Sequence, residues 1–391
     1  MNRVAVAGMV SALVSMGCAM SRERASGRLQ SAVDNTVARA DQVDHAVLRV
    51  DAPQAGLQEV FVAGEGADGL PFTPDTPFLS ASVGKLFVAA TLADMADDNL
   101  LSLDDPVSKW VDASVLDGLP AMGGVAAFDT ITVGMLLRHR SGLPDYFDGE
   151  VHPTRDGAPD VFSKVQSQPG EAWDRDRALD YTRAHWTPYA APDTAFLYSD
   201  LNYDLAGLVI EGVTKAPWHA SVRTRVLDPL RLQSTWVHQF EDPPAGVGAV
   251  APAKAGDVVI TGTPALGVDG AGGGLFTTTG DLVRFMRGLE RGEPVSLDVL
   301  GTAWTPDAIH RGIDYGHGVW RVRPGGMFFL MAGLPTLRGV SGVTGSYVYL
   351  LGDGTVVAGT FDQTDFADDH IRFLLAEVVP TLARLEGTPD P

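Results

Sequence analysis

Ser82 and Lys85 stand three residues apart in the stretch Leu79-Ser80-Ala81-Ser82-Val83-Gly84-Lys85. On a helix, side chains three apart share a face, so the Lys85 ammonium would lie beside the Ser82 hydroxyl. A serine hydroxyl is a poor nucleophile until a neighbour takes its proton or favours its oxyanion. A helix N-terminus adds positive potential and unpaired N–H groups at the same place. The pair therefore suits attack on an acyl carbon. Taken alone, the spacing also fits a capping serine beside a solvated lysine. His139 invites a Ser-His-Asp triad, but its position before Ser141-Gly142-Leu143-Pro144 reads as a turn histidine bonded to backbone. The chain lacks G-x-S-x-G, which disfavours a strand-to-helix nucleophile elbow.

The surrounding pattern says what must position these residues. Apolar runs at 46–50 and 58–62 flank a turn-rich stretch and predict a β-hairpin. Val83, Leu86, Phe87, Ala90 and Ala93 recur at helical spacing, with Ser80 as the expected N-cap. Further helices are expected over 132–139 and 201–213, after a Thr278 cap, and over 369–385. Strands are expected at 316–322, 327–331, 345–351 and 355–361. Gly272-Gly273-Gly274 reads as a close-packed turn, because no Lys-Ser/Thr follows it. Strands at both ends and helices between predict an α/β fold of the α+β type. An antiparallel sheet flanked by helices would be built from both chain ends, with an inserted, mostly helical lobe and a cleft between the lobes. The expected division is a signal over 1–20, a linker or short first helix over 21–42, and one domain over 43–388. Within that domain the sheet lobe takes about 43–103 and 272–388, and the helical lobe about 104–271.

Three segments, Thr76 to Lys85, Ile131 to Tyr146 and Phe196 to Tyr203, together with Arg338 to Ser346, resemble class C β-lactamases and their penicillin-binding, esterase and D-aminopeptidase relatives. Leu103-Asp104-Asp105-Pro106-Val107 is similar to the same family. The resemblance implies Ser82 as nucleophile, with Lys85 and Tyr198 in proton transfer. A free tyrosine has a pKa near 10, and a nearby lysine cation would favour its phenolate. The resemblance also implies an oxyanion hole at the backbone N–H groups of Ser82 and Val343, each such donor contributing roughly 3 kcal/mol. Asp200 falls where relatives carry Asn. Val340 falls where they carry Lys or His, followed by matching Ser341 and Gly342. Gly342 would let a substrate backbone approach the strand. The lost cation and the added anion make the cleft less welcoming to carboxylate-bearing lactams. Two arrangements could offset this: Asp200 could pair with Lys85, or Arg338, two residues before Val340, could supply the missing charge.

The 29 basic and 49 acidic residues give a net charge of −20, which disfavours nucleic acid as a partner. One cysteine, scattered histidines and the lack of C-x-x-C or H-E-x-x-H argue against a zinc site, and no cofactor is implied. Arg3, the apolar run from Val4 to Met16 and Gly17-Cys18-Ala19 have the form of an export signal, too short to span a bilayer comfortably. The expectation is a periplasmic, secreted or envelope-tethered protein, the tether being lipid on Cys18. The expected activity is an acyl-transferring serine hydrolase of neutral esters or amides, with a small-molecule or peptide substrate. The rivals are a D-Ala-directed cell-wall peptidase and a catalytically weakened envelope-binding protein on the same scaffold.

Overall fold

The alternating apolar runs do pair. Strand β1 (His45–Ala52) lies antiparallel to β2 (Leu57–Gly64), and Gly56 closes the turn with φ of 65°. The structure, a computed structural model, describes residues 19–366 and 369–385. Cys18 and almost all of the expected export segment lie outside these residues. No helix among the described residues is long and apolar enough to cross a membrane.

The hairpin is one edge of an eight-stranded sheet. The other strands come from the far end of the chain: β3 (Thr305–His310), β4 (Ile313–Tyr315), β5 (Trp320–Val322), β6 (Leu337–Ser341), β7 (Tyr347–Leu351) and β8 (Val356–Thr360). Their order is β2-β1-β8-β7-β6-β5-β4-β3, antiparallel throughout. Val47 of β1 sits opposite Thr360 of β8, which joins the two chain ends.

Helices cover both faces. The segment expected as a linker or short first helix contains α1 (Arg22–Arg39), capped by Ser21. Its Leu29 and Val33 are buried with Leu48, Tyr349 and Leu351, and the helical stretch from Asp369 to Leu382 lies on the same side. On the opposite face run α2 (Gly84–Asp97) and α5 (Thr279–Arg291), packed through Phe87 stacked on Phe285 at 3.9 Å. In α5, Leu282, Phe285, Met286 and Leu289 line one side, and Thr278 accepts from Asp281 N at its start. Between these elements the chain is mainly helical, including α3 (Val133–Leu137, capped by Thr132) and α4 (Asp200–Thr214).

The strand expected over 327–331 is instead a helical turn, Pro324–Met327, followed by a 3-10 turn, Phe329–Met331. Pro324 presets a helical φ, and Gly325-Gly326 offers a strand nothing to pack. Conversely, β3 and β4 were not visible, because Asp307 and Asp314 interrupt the apolar pattern. Asp314 is buried and satisfied by Arg321, Arg323 and Asp307 N.

Candidate active site

Helix α2 begins later than its spacing suggests. Ala81–Val83 form a 3-10 turn, and Ala81 holds the left-handed region with φ of 45°. Ser80 does not cap; its hydroxyl donates to Gly273 O at 3.1 Å. A left-handed alanine costs roughly 1–2 kcal/mol, and the surroundings hold it there. Ser346 Oγ donates to Ser80 O at 2.6 Å. Gly273 packs so closely that a Cβ on it would lie 2.5 Å from Ala81 O. Ser82, next in the chain, keeps part of its surface open, whereas Lys85 is buried.

Lys85 Nζ donates to Ser82 Oγ at 3.0 Å, Asp200 Oδ1 at 2.5 Å and Gly272 O at 2.8 Å. An ammonium has three N–H donors, so each has an acceptor. Burial opposes the charge, but Asp200 and Tyr198 outweigh it and the Lys85 pKa is raised. In this arrangement the Lys85 ammonium donates to the serine hydroxyl. The Gly-rich turn was expected only as close packing; it also supplies the Gly272 carbonyl. Nothing in the local sequence marks that carbonyl as a lysine acceptor.

Tyr198 faces both Ser82 and Lys85, and the Lys85 ammonium lies 5.1 Å from its ring centroid. Burial pushes the phenol up, Lys85 pulls it down, and Asp200 pushes it up again; the net shift is upward. Lys85 thus favours the phenolate, as expected, while burial opposes it more strongly.

Of the two offsetting arrangements, the first is present: Asp200 is the partner of Lys85. Its backbone N–H donates to Asp145 Oδ1 at 2.9 Å. Asp145, unnoticed in the sequence although it directly follows Pro144, is pushed well up by burial and by Asp200. Asp204 and Asp269 are each pushed up to about 7, first by burial and then by Asp200 among other groups. Arg338, the other candidate, is ion-paired to Asp298.

Strand β6 brings Val340 into the core on the α2 side of the sheet, fully buried. Ser341 points the other way, and its hydroxyl bonds to Tyr349 Oη at 2.6 Å. The space beside Gly342 is filled by the protein itself. A Cβ there would lie 2.4 Å from Ser346 Oγ and 2.8 Å from Ser80 O. That closeness sets the end of β6 against the nucleophile turn. Gly342 N donates to Ser346 O and Gly345 N to Gly342 O, while no acceptor among the described residues takes the Val343 N–H. Val343 therefore has a free donor beside the turn that carries Ser82.

His139 is buried and its pKa is lowered well below the usual value, first by burial and then by Lys85. Its Nδ1 accepts from Ser199 N at 3.1 Å, which places the ring proton on Nε2, facing Tyr315 Oη at 3.0 Å. Neither nitrogen is left for Ser82, so no Ser-His-Asp triad forms.

The family described as Beta-lactamase matches residues 52–375. The chain belongs to the β-lactamase family. The family, together with the hydrolases of similar structure, makes the chain a serine hydrolase. Protein flp of Staphylococcus aureus (strain MW2) is 29% identical over 169 residues, covering 43% of this chain and 29% of flp. Penicillin-binding protein 4* of Bacillus subtilis (strain 168) is 23% identical over 297 residues, 72% of this chain and 60% of that protein. The chain thus spans less than a third of the first relative and three fifths of the second. Among solved structures, a D-stereospecific amidohydrolase from Streptomyces sp. superposes with a TM-score of 0.71 at 25% identity, covering 90% of this chain and 98% of that one. EstCE1, a hydrolase with promiscuous acyltransferase activity, has a TM-score of 0.70 at 18% identity, covering 93% and 98%, and shares the fold.

Proposed function

We propose that this β-lactamase-family protein hydrolyses esters or amides of uncharged or amino-bearing acyl groups through an acyl-enzyme on Ser82. The Ser82 oxygen bonds to the acyl carbon as its proton passes to Tyr198 in its phenolate form, the phenol proton having gone to solvent beforehand; the bond to the leaving group then breaks as that group takes the proton from Tyr198. Water then attacks the ester, with Tyr198 again carrying the proton. Lys85 stays charged and stabilises the oxygen anions formed beside it. The N–H groups of Ser82 and Val343 receive the carbonyl oxyanion.

One observation carries the substrate class: the Lys85 charge is already answered by Asp200 at 2.5 Å. Val340 adds no cation, and Arg338 is held by Asp298. A carboxylate-bearing lactam would therefore meet Asp200 without a dedicated partner. One unit charge at about 4–6 Å and an effective dielectric near 20 amounts to roughly 3–4 kcal/mol before solvation losses. The same reasoning disfavours peptides ending in a free D-Ala carboxylate. An amino-acid amide has an ammonium and no carboxylate, and the amidohydrolase likeness supports that substrate class.

The test measures kcat/KM for p-nitrophenyl butyrate, D-phenylalanine amide and benzylpenicillin, with intact mass to detect the acyl adduct. The ester or the amide should exceed the lactam, and Ser82→Ala should abolish turnover and adduct alike. Asp200→Asn should move the ratio several-fold toward benzylpenicillin, while Arg338→Ala should leave it unchanged. Benzylpenicillin as the preferred substrate of the wild type would overturn the substrate class. Turnover in Ser82→Ala would overturn the mechanism. Absence of any adduct would favour the binding-protein alternative.

A further inference from the structure

We propose that His139 is a positioning residue that holds the proton carrier Tyr198 in register with Ser82. This rests on the reading of Tyr198 given above. The phenol oxygen must stay near both the serine hydroxyl and the ammonium, yet Tyr198 lies in the extended stretch just before α4. An extended segment has no helical hydrogen bonds of its own to fix it.

His139 supplies that fixation at three consecutive residues. Its carbonyl accepts from Leu197 N at 3.1 Å. Its ring faces the Tyr198 ring at 4.2 Å, tilted by 34°. Its Nδ1 accepts from Ser199 N at 3.1 Å. The residues before, at and after the phenol thus each meet the same histidine.

The ring is in turn fixed from behind. Asn202 Nδ2 donates to the same Nδ1 at 3.1 Å, and Ser141 Oγ holds the Asn202 carbonyl at 2.6 Å. On the other side the Nε2 proton points to Tyr315 Oη at 3.0 Å. Tyr203, whose ring lies 5.4 Å from that of His139, donates to Leu137 O at 3.2 Å. The bonds at the two ring nitrogens need a neutral imidazole with its proton on Nε2. His139 itself sits at φ of 54°, a conformation glycine would adopt more easily. The ring, rather than the backbone, is therefore what a histidine contributes here.

The decisive variant is His139→Gly in the full chain, which removes the ring without adding backbone strain. With p-nitrophenyl butyrate, kcat should fall about 10²-fold with KM nearly unchanged, as expected when a reacting group is misplaced. Added imidazole should recover part of kcat, read against Ser82→Ala with the same imidazole as blank. If His139→Gly does not fold, Tyr315→Phe takes its place, deleting the acceptor of Nε2 while keeping the packing. It should lose about tenfold in kcat, again with KM nearly unchanged. A kcat close to wild type in the folded variant, a loss confined to KM, or a kcat loss in His139→Gly that imidazole does not touch would each overturn the proposal. Tyr198→Phe separates the two readings. If it turns over at the wild-type rate, the role of Tyr198 fails. If it is inactive while His139→Gly is fully active, only the positioning role fails.

Discussion

At the scale of single residues, the site is governed by where one positive charge is held. Lys85 has all its donors engaged and a raised pKa, which is why the proposed mechanism gives the proton transfer to Tyr198. Burial keeps that phenol above its ordinary value of 10.0. Below its pKa, the phenolate fraction of such a group grows tenfold per pH unit. If Tyr198 accepts the Ser82 proton as phenolate, log kcat/KM should climb with a slope near one over about pH 6 to 9, without levelling near neutrality. Initial rates with p-nitrophenyl butyrate, corrected at each pH for hydrolysis without enzyme, would show this, because that substrate has no group titrating in the range. A flat profile, or a plateau reached by neutral pH, would remove the phenolate from the mechanism.

Whole elements matter through close approach. The four-residue helix Gly270–Gly273 touches the nucleophile turn on one side and the ion pair on the other. A Cβ at Gly272 would lie 2.8 Å from Asp200 Oδ1, and one at Gly273 would meet the Ala81 carbonyl. Backbone cannot yield as a flexible side chain does. Gly273→Ala should therefore lower stability by about 1–3 kcal/mol, as overpacking does, and should cut kcat by displacing Ser82. Gly170→Ala, with nothing within 4 Å of its added Cβ, is the control and should change neither. Thermal melting and initial rates on both variants decide the matter. Equal behaviour of the two would show that the tight contact at Gly273 relaxes freely.

For the molecule as a whole, the sheet has a working face and a supporting face. The site lies on the α2 side, while α1 packs on the other. Leu29, in the stretch expected as a linker or short helix, is fully buried. Leu29→Ala should cost about 2–5 kcal/mol and lower the melting temperature. The kcat per folded molecule should stay as in the wild type, because no catalytic group lies on that face. An unchanged melting temperature would mean that α1 adds nothing to the domain, and a changed kcat would mean that the faces are coupled.

Much of the frame was legible in the sequence because it depends on near neighbours. The period-two runs at 46–50 and 58–62 make a hairpin wherever they are placed. Thr132 and Thr278 cap helices through N–H groups three residues on. Ser82 and Lys85 meet because a helical turn brings them together, and the resemblance to the family singled that pair out from chance tetrads. The tertiary structure alone decided the rest. Asp200 reaches Lys85 across 115 residues, and the Gly272 carbonyl reaches it across 187. The ion pair of Arg338 with Asp298 likewise joins residues 40 apart in the chain. Whether Lys85 or burial governs Tyr198 was equally open, since the sequence names the charges but not their distances or the medium between them. Coulomb energy varies with both, and both are fixed only when segments far apart in the chain close around the site.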